Sequence, residues 1–196
     1  MFIALHQRLA RFRKDRRAVA AIEFAFIAPI LMSLYFVTME VSQGIEANKK
    51  VGRIASMVGD LVAQQTTVTT ADLDAIMQIG AAIIQPYGRS DPTIIIEHIE
   101  VDDDLNATVQ WSRQLVDDKA SEAFKQGATT TVPDQLKIED TFLVRVTAKL
   151  GYKPVITWTV EQKATLGLMA AFDKLEMSER YFLRPRMSAE VRCGNC

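Results

Sequence analysis

Cysteine and histidine are scarce in this chain, with two of each among 196 residues. Two thiols exclude a disulfide-dense scaffold and a four-thiolate zinc site within one chain. Two imidazoles leave little material for histidine-based metal or triad chemistry. Neither sign of charge is in excess: 23 Lys and Arg face 24 Asp and Glu, a formal net charge of −1. That balance argues against a globally basic nucleic-acid binder and against a strongly acidic disordered chain. Phosphate-binding loops, dinucleotide fingerprints, HExxH and G-x-S-x-G are all absent. No period of 20–50 residues recurs, so a solenoid is not expected. What the chain does have is apolar material, 48% of its residues, enough for a core.

That material is unevenly spread. Residues 1–17 form a basic arm with six cations (Arg8, Arg11, Arg13, Lys14, Arg16, Arg17) against Asp15 alone. Residues 18–39 follow, 22 positions with one charge, Glu23. From Glu40 onward 17 cations meet 22 acids. An apolar helix of that length spans about 33 Å, enough for a hydrocarbon core of about 30 Å. The cationic flank should stay in the cytoplasm, which places the remainder outside. A buried core helix and a cleaved secretory signal compete with this reading. The first has no need of a basic arm before it. The second usually has a shorter apolar region and a small-x-small site, to which residues 33–47 offer only weak matches. Pro29 within the run is tolerated in bilayer helices. Glu23 costs a few kcal/mol there unless it is paired or near the interface. It follows Arg17 by six positions, so reaching the interface is one explanation and a partner cation is the other.

The stretch Arg16-Arg17-Ala18-Val19-Ala20-Ala21-Ile22-Glu23-Phe24-Ala25 resembles the start of type IV pilin-like proteins. More narrowly, it resembles the TadE/TadG-like proteins of the tight-adherence (Flp) pilus system. Those begin with a basic leader, a small residue, four mostly small apolar residues, Glu, an aromatic and an apolar helix often carrying Pro. The resemblance implies leader cleavage between Ala18 and Val19 by a prepilin peptidase, with Glu23 as fifth mature residue, Phe24 as the aromatic and Pro29 as the proline. The family's usual residue at the end of the leader is Gly, where this chain has Ala18, so processing and retention both stay open. Cleavage would create an ammonium at Val19, one helical turn from Glu23, able to pair with it within a chain or between neighbours. Such pairing offsets part of the cost of burying Glu23 and could set the register of packed helices. The resemblance further implies a non-enzymatic, single-pass bacterial inner-membrane protein that needs no cofactor. Its partners would be membrane lipid, other pilin-like subunits and pilus assembly proteins, and no nucleic acid.

Beyond the apolar run, Val41, Ile45, Val51, Ile54, Ala55, Val58, Leu61 and Val62 recur at three- and four-residue steps, extending the helix over residues 40–65. Gly52 and Gly59 share a face and suit close backbone approach. Residues 64–70 read as a polar turn, and Thr69 with Asp72 reads as a helix start. Leu73, Ile76, Met77, Gly80, Ile83 and Ile84 make the face of that second helix, which Pro86 and Gly88 end. Residues 93–101 read as a strand, 102–106 as a turn, and Ala107, Val109 and Trp111 as the inner face of a half-buried return strand. The end of this hairpin, residues 108–112, also resembles the hairpin of TadE/TadG-like proteins. Residues 115–139 read as a surface excursion with a helical turn at 121–124. Phe142, Val144, Val146, Ala148 and Leu150 mark a third strand, and residues 177–184 a last one of poor alternation. A short helix is expected at 166–172, after a connection containing Trp158. The expected fold is α+β: a long N-terminal transmembrane helix, then an extracytoplasmic domain over residues 66–196 with a second helix on an antiparallel sheet of about four strands.

Two side-chain groups invite a chemical reading. Glu97, His98, Glu100, Asp102, Asp103, Asp104 and Asn106 offer oxygen ligands for a hard cation, but lack EF-hand spacing. Strand alternation sends Glu97 and His98 to opposite faces, so a solvated hairpin tip is the stronger expectation. Cys193 and Cys196, in Cys-Gly-Asn-Cys, have redox-motif spacing but no helix to follow them. A local disulfide or an intermolecular link is expected outside the cytoplasm.

Overall fold

A computed structural model of the chain describes residues 16–155 and 175–196, with residues 16–18 defined by backbone alone. The expected helix at 166–172 and Trp158 lie outside the described residues. The first element is a 48-residue helix, α1 (Arg16–Ala63), with Pro29 inside it. The chain divides into two compact units, Met1–Ser42 and Gln43–Cys196. Residues 43–63 of α1 therefore belong with the folded unit that follows.

In that second unit, α1 buries a stripe made of Ala47, Val51, Ile54, Ala55, Val58 and Val62. Ile45 is exposed, because six residues before Val51 at about 100° per residue leaves it about 120° away from the stripe. After α1 come β1 (Thr67–Val68) and helix α2 (Thr70–Ala82). The expected start of α2 is a complete capping box. The Thr69 hydroxyl accepts from the Asp72 N–H, and the Asp72 carboxylate accepts from the Thr69 N–H. The Thr69 hydroxyl, which donates to Asp72 Oδ2 at 2.7 Å, and after it the Thr69 N–H hold the Asp72 carboxyl below its ordinary pKa. Leu73, Met77 and Gly80 form its buried face.

The remaining elements are β2 (Thr93–Val101), β3 (Ala107–Val116), β4 (Lys119–Ser121), a 3-10 turn (Asp134–Leu136), β5 (Thr141–Gly151), β6 (Glu176–Leu183) and β7 (Arg192–Cys193). Five strands form an antiparallel sheet in the order β4-β3-β2-β5-β6, and β1 pairs with β7 in parallel. The fold is α+β, with one strand more in the main sheet than the expected four. The extra strand is β4. It begins just before the expected helical turn at 121–124, which is not helical.

Both faces of the sheet are covered, and the two covers differ. On one face Ile94 and Ile96 join Val144, Val146 and Ala148 beneath the two helices. Close approach is possible there because two positions lack a side chain. A Cβ at Gly59 would collide with Leu183, and one at Gly80 would sit 2.5 Å from Val58 Cγ2. On the other face Ile99, Val101, Ala107 and Leu143 pack under Val132, with Leu136 and Phe182 beside them. The excursion after β4 supplies this second cover. It is pinned to β3 by Val109 N–H to Ala128 O (2.9 Å), Gly127 N–H to Val109 O (2.8 Å) and Thr130 N–H to Ala107 O (2.9 Å).

The hairpin departs from simple alternation. His98 pairs with Trp111 but Ile99 pairs with Val109, so Gln110 is an extra residue in β3. A bulge of this kind flips the faces on either side of it. Ala107, Val109 and Trp111 therefore do not share one inner face. Trp111 lies in the helix-side core, and Ala107 in the core under the excursion.

Candidate functional site

The apolar run emerges from the structure as bare helix. Val19 is half exposed, and Ile22, Phe24, Phe26, Ile30, Met32 and Leu34 are exposed to between 57% and 72%. At about 100° per residue these positions point to all sides, so the segment has no polar face to give to water. Its most apolar 18-residue window has a mean hydropathy of 2.0, and none of that window is buried. It is one helix long and apolar enough to cross a membrane, near the N-terminus. The two aliphatic hydroxyls inside it are turned back on the backbone. Ser33 Oγ donates to Pro29 O and Thr38 Oγ1 to Leu34 O, each at 2.8 Å. Such internal satisfaction is what a segment without water around it requires.

Within this segment Ala18, Val19 and Glu23 are all helical. The Ala18–Val19 bond lies in the first turn of α1, and Val19 and Glu23 are one turn apart on one face. Glu23 is exposed, and among the described residues no side chain pairs with it.

The acidic tip does not assemble into a site. Residues 103–106 are exposed, and Asp102 closes the turn by accepting from the Asn106 N–H at 2.7 Å. Among the described residues no group of three or more His, Cys, Asp or Glu could hold a metal ion. Glu97 instead points under the excursion, toward a partner that no local pattern announces. Arg145 Nε donates to Glu97 Oε2 at 2.6 Å, and its Nη2 pairs with the other carboxylate oxygen. Arg145 also donates to Thr131 O at 2.8 Å and Thr130 Oγ1 at 2.6 Å. Both members of the pair are buried. In the sequence Arg145 is one of the polar residues alternating with Phe142, Val144 and Val146, a pattern that normally marks a solvated face.

His98 is a sheet residue on the opposite face. Its ring is stacked between Trp111 and Phe142, with both centroids 5.3 Å away. Nε2 accepts from the Val191 N–H at 3.2 Å, and Trp111 Nε1 donates to Val191 O at 2.8 Å. Burial lowers the His98 pKa to about 4, against the opposing pull of the Glu190 charge. The ring is thus neutral at pH 7, with its proton on Nδ1, which is buried without a hydrogen-bond partner. A neutral, sealed imidazole with no acid at Nδ1 lacks the geometry of a triad base. Its evident role is to hold the C-terminal segment.

That segment is tied down along its length. Arg192 N–H donates to Thr66 O and Gly194 N–H to Val68 O, while Asn195 Oδ1 accepts from the Thr70 N–H at 2.8 Å. The last bond satisfies one of the orphan donors at the start of α2. Cys193 and Cys196 form a disulfide, with Cα atoms 5.7 Å apart. Cys193 lies in β7, and neither cysteine starts a helix. Comparison of the chain with protein-family models, with curated proteins and with solved structures finds no match to any of them.

Proposed function

We propose that this protein is a single-pass bacterial inner-membrane protein of pilus assembly, acting as a TadE/TadG-like minor pilin-like subunit or membrane assembly factor of a Flp-type pilus. The observation that carries the proposal is the exposed apolar segment interrupted by one carboxylate, Glu23, a single helical turn from Val19. A carboxylate placed there without need would cost a few kcal/mol in lipid. A cation supplied by the amine of a processed neighbour, or by its own chain, offsets that cost. The basic arm keeps the N-terminus cytoplasmic, and the unit from Gln43 onward lies in the periplasm. Assembly proceeds by helix association in the bilayer, with the outer unit selecting partners. No chemical step, cofactor or nucleic acid is involved, and the prepilin peptidase is a partner when Ala18–Val19 is cut.

Glu23→Gln tests the proposal in cells. Lost piliation with normal membrane insertion is the expected result. Unchanged piliation with intact protein would instead make this a general bitopic envelope protein whose outer unit binds a ligand or another protein. N-terminal sequencing of the mature chain separates processing routes. A start at Val19 means pilin-type cleavage, a start near Ala47 signal peptidase, and Met1 a retained anchor.

A further inference from the structure

We propose that a cavity at the start of the folded unit binds the phosphate of an anionic phospholipid, with Arg89 and Lys50 as its cations. The cavity, about 370 Å³, is lined by Gln43, Glu46 and Lys50 of α1 and by Pro86, Tyr87 and Arg89 of the segment after α2.

Arg89 is built into place. Its guanidinium lies 4.5 Å over the ring of Tyr87 and 5.8 Å from that of Tyr152, and the two rings are themselves stacked. Nη2 donates to Gln43 Oε1 at 3.0 Å, and Nε is buried without a hydrogen-bond partner. Among the described residues no carboxylate pairs with this guanidinium. A charged group with five donors is thus fixed in orientation with most of them unused. Its planar fork suits phosphate oxygens, and its rigid seat removes much of the entropy cost of binding. Lys50 is anchored in the same wall. Its ammonium donates to Gln85 O at 2.7 Å and pairs with Glu46 at 3.3 Å. Three donors with two partners leave one free. Among the described residues Glu46 is the only acid in the lining, so two cations face one acid there and leave a positive excess.

The position of the cavity selects the source of the phosphate, and here the inference rests on the membrane reading above. Gln43 follows Met39, the last residue of the apolar run, by four positions in the same helix. That is about 6 Å at the helical rise. The headgroup layer is of similar thickness, roughly 5–8 Å on each side of the hydrocarbon core. A preorganised cation at that depth meets phospholipid phosphate at high local concentration.

The test uses the full chain, purified in mild detergent, delipidated and titrated with phosphatidylglycerol or phosphatidylcholine under native mass spectrometry. Wild type is expected to hold one phosphatidylglycerol in preference to phosphatidylcholine. Arg89→Gln should weaken that binding about tenfold or more, and Lys50→Gln, on the α1 side of the cavity, should weaken it less. Equal retention by wild type and both variants overturns the proposal. So does displacement of the lipid by an equal concentration of glycerol phosphate, which would assign the cavity to soluble phosphate esters. Carbonate extraction of cell membranes keeps the two readings apart. Extraction-resistant wild type that holds no lipid removes the cavity proposal alone. Release of wild type by carbonate removes the membrane reading, and the lipid source with it.

Discussion

The two parts of α1 differ in what covers them although they share one backbone. Residues 19–35 are apolar on every side except at Glu23 and are almost wholly exposed, while from Ala47 to Ala63 a narrow stripe, Val51, Ile54, Ala55, Val58 and Val62, is wholly buried. The second part carries charges on its remaining faces, including Lys49, Lys50, Arg53 and Asp60. Hydrophobicity by itself therefore does not place a helix in a protein core. A stripe has one apolar direction and one place to put it. An all-round apolar surface has no such direction, and lipid is the solvent that accepts it. The same contrast extends to the carboxylates. Glu23 stands alone on the bare segment, whereas Glu97 is buried with a dedicated guanidinium.

The carboxylates give the largest expected difference. Arg145→Ala strands the buried Glu97 charge and should destabilise the folded unit by about 3–5 kcal/mol. Glu23→Gln should leave the same unfolding transition where it is. Denaturant titration of both variants in detergent, followed by Trp fluorescence, checks the pair. A Glu23→Gln shift as large as that of Arg145→Ala would break the comparison. Next come the apolar positions. Ile54→Ala removes a fully buried side chain and should cost about 2–5 kcal/mol, while Ile30→Ala, on the exposed segment, should leave the unit's stability unchanged.

A pH titration sharpens the same contrast from within the folded unit. The His98 pKa is depressed from 6.5 to about 4, so between those values the unfolded chain binds the proton and the folded unit does not. Stability then rises with pH across this window. It is complete above about pH 6.5 and falls by up to about 3 kcal/mol as pH drops toward 4. His98→Phe should flatten this dependence and loosen the segment around Val191, read as faster amide exchange at Val191 and Arg192. An unchanged slope in His98→Phe would show that other groups set it.

The glycines give the smallest effects. A methyl at Gly80 meets Val58 Cγ2, a short and stiff side chain, and Gly80→Ala should cost about 1–3 kcal/mol. At Gly59 the obstacle is the far end of Leu183, which can turn aside. There Ala gains about 1 kcal/mol of helix propensity, and the net change in denaturation midpoint should be close to zero.

Much of this architecture is legible in local pattern. Thr69 and Asp72 announce the start of α2, the Ile-rich run 93–101 coincides with β2, and the alternation at 142–150 falls within β5. These signals survive because each depends on neighbours a few residues away. Three features were not legible for the opposite reason. The bulge at Gln110 depends on how β3 registers against β2. Strand β1 takes its pairing from β7, more than a hundred residues later. Arg145 reads as a surface residue until the excursion covers it. For the candidate site, Glu23 and its apolar setting are plain in the sequence. The cavity beside Arg89 is not, since its walls come from residues 43–50 and 86–89.

By itself the sequence determined the apolar segment with its basic flank and single carboxylate, and the order of most helices and strands. Periodicity and charge along the chain act through short-range geometry, so they can be read without coordinates. Only the tertiary structure decided which polar residues go inside: Glu97 with Arg145, His98 between two aromatic rings, Arg89 against Tyr87. Burial is a property of what lies across from a residue, and in this protein the covering segments come from distant parts of the chain.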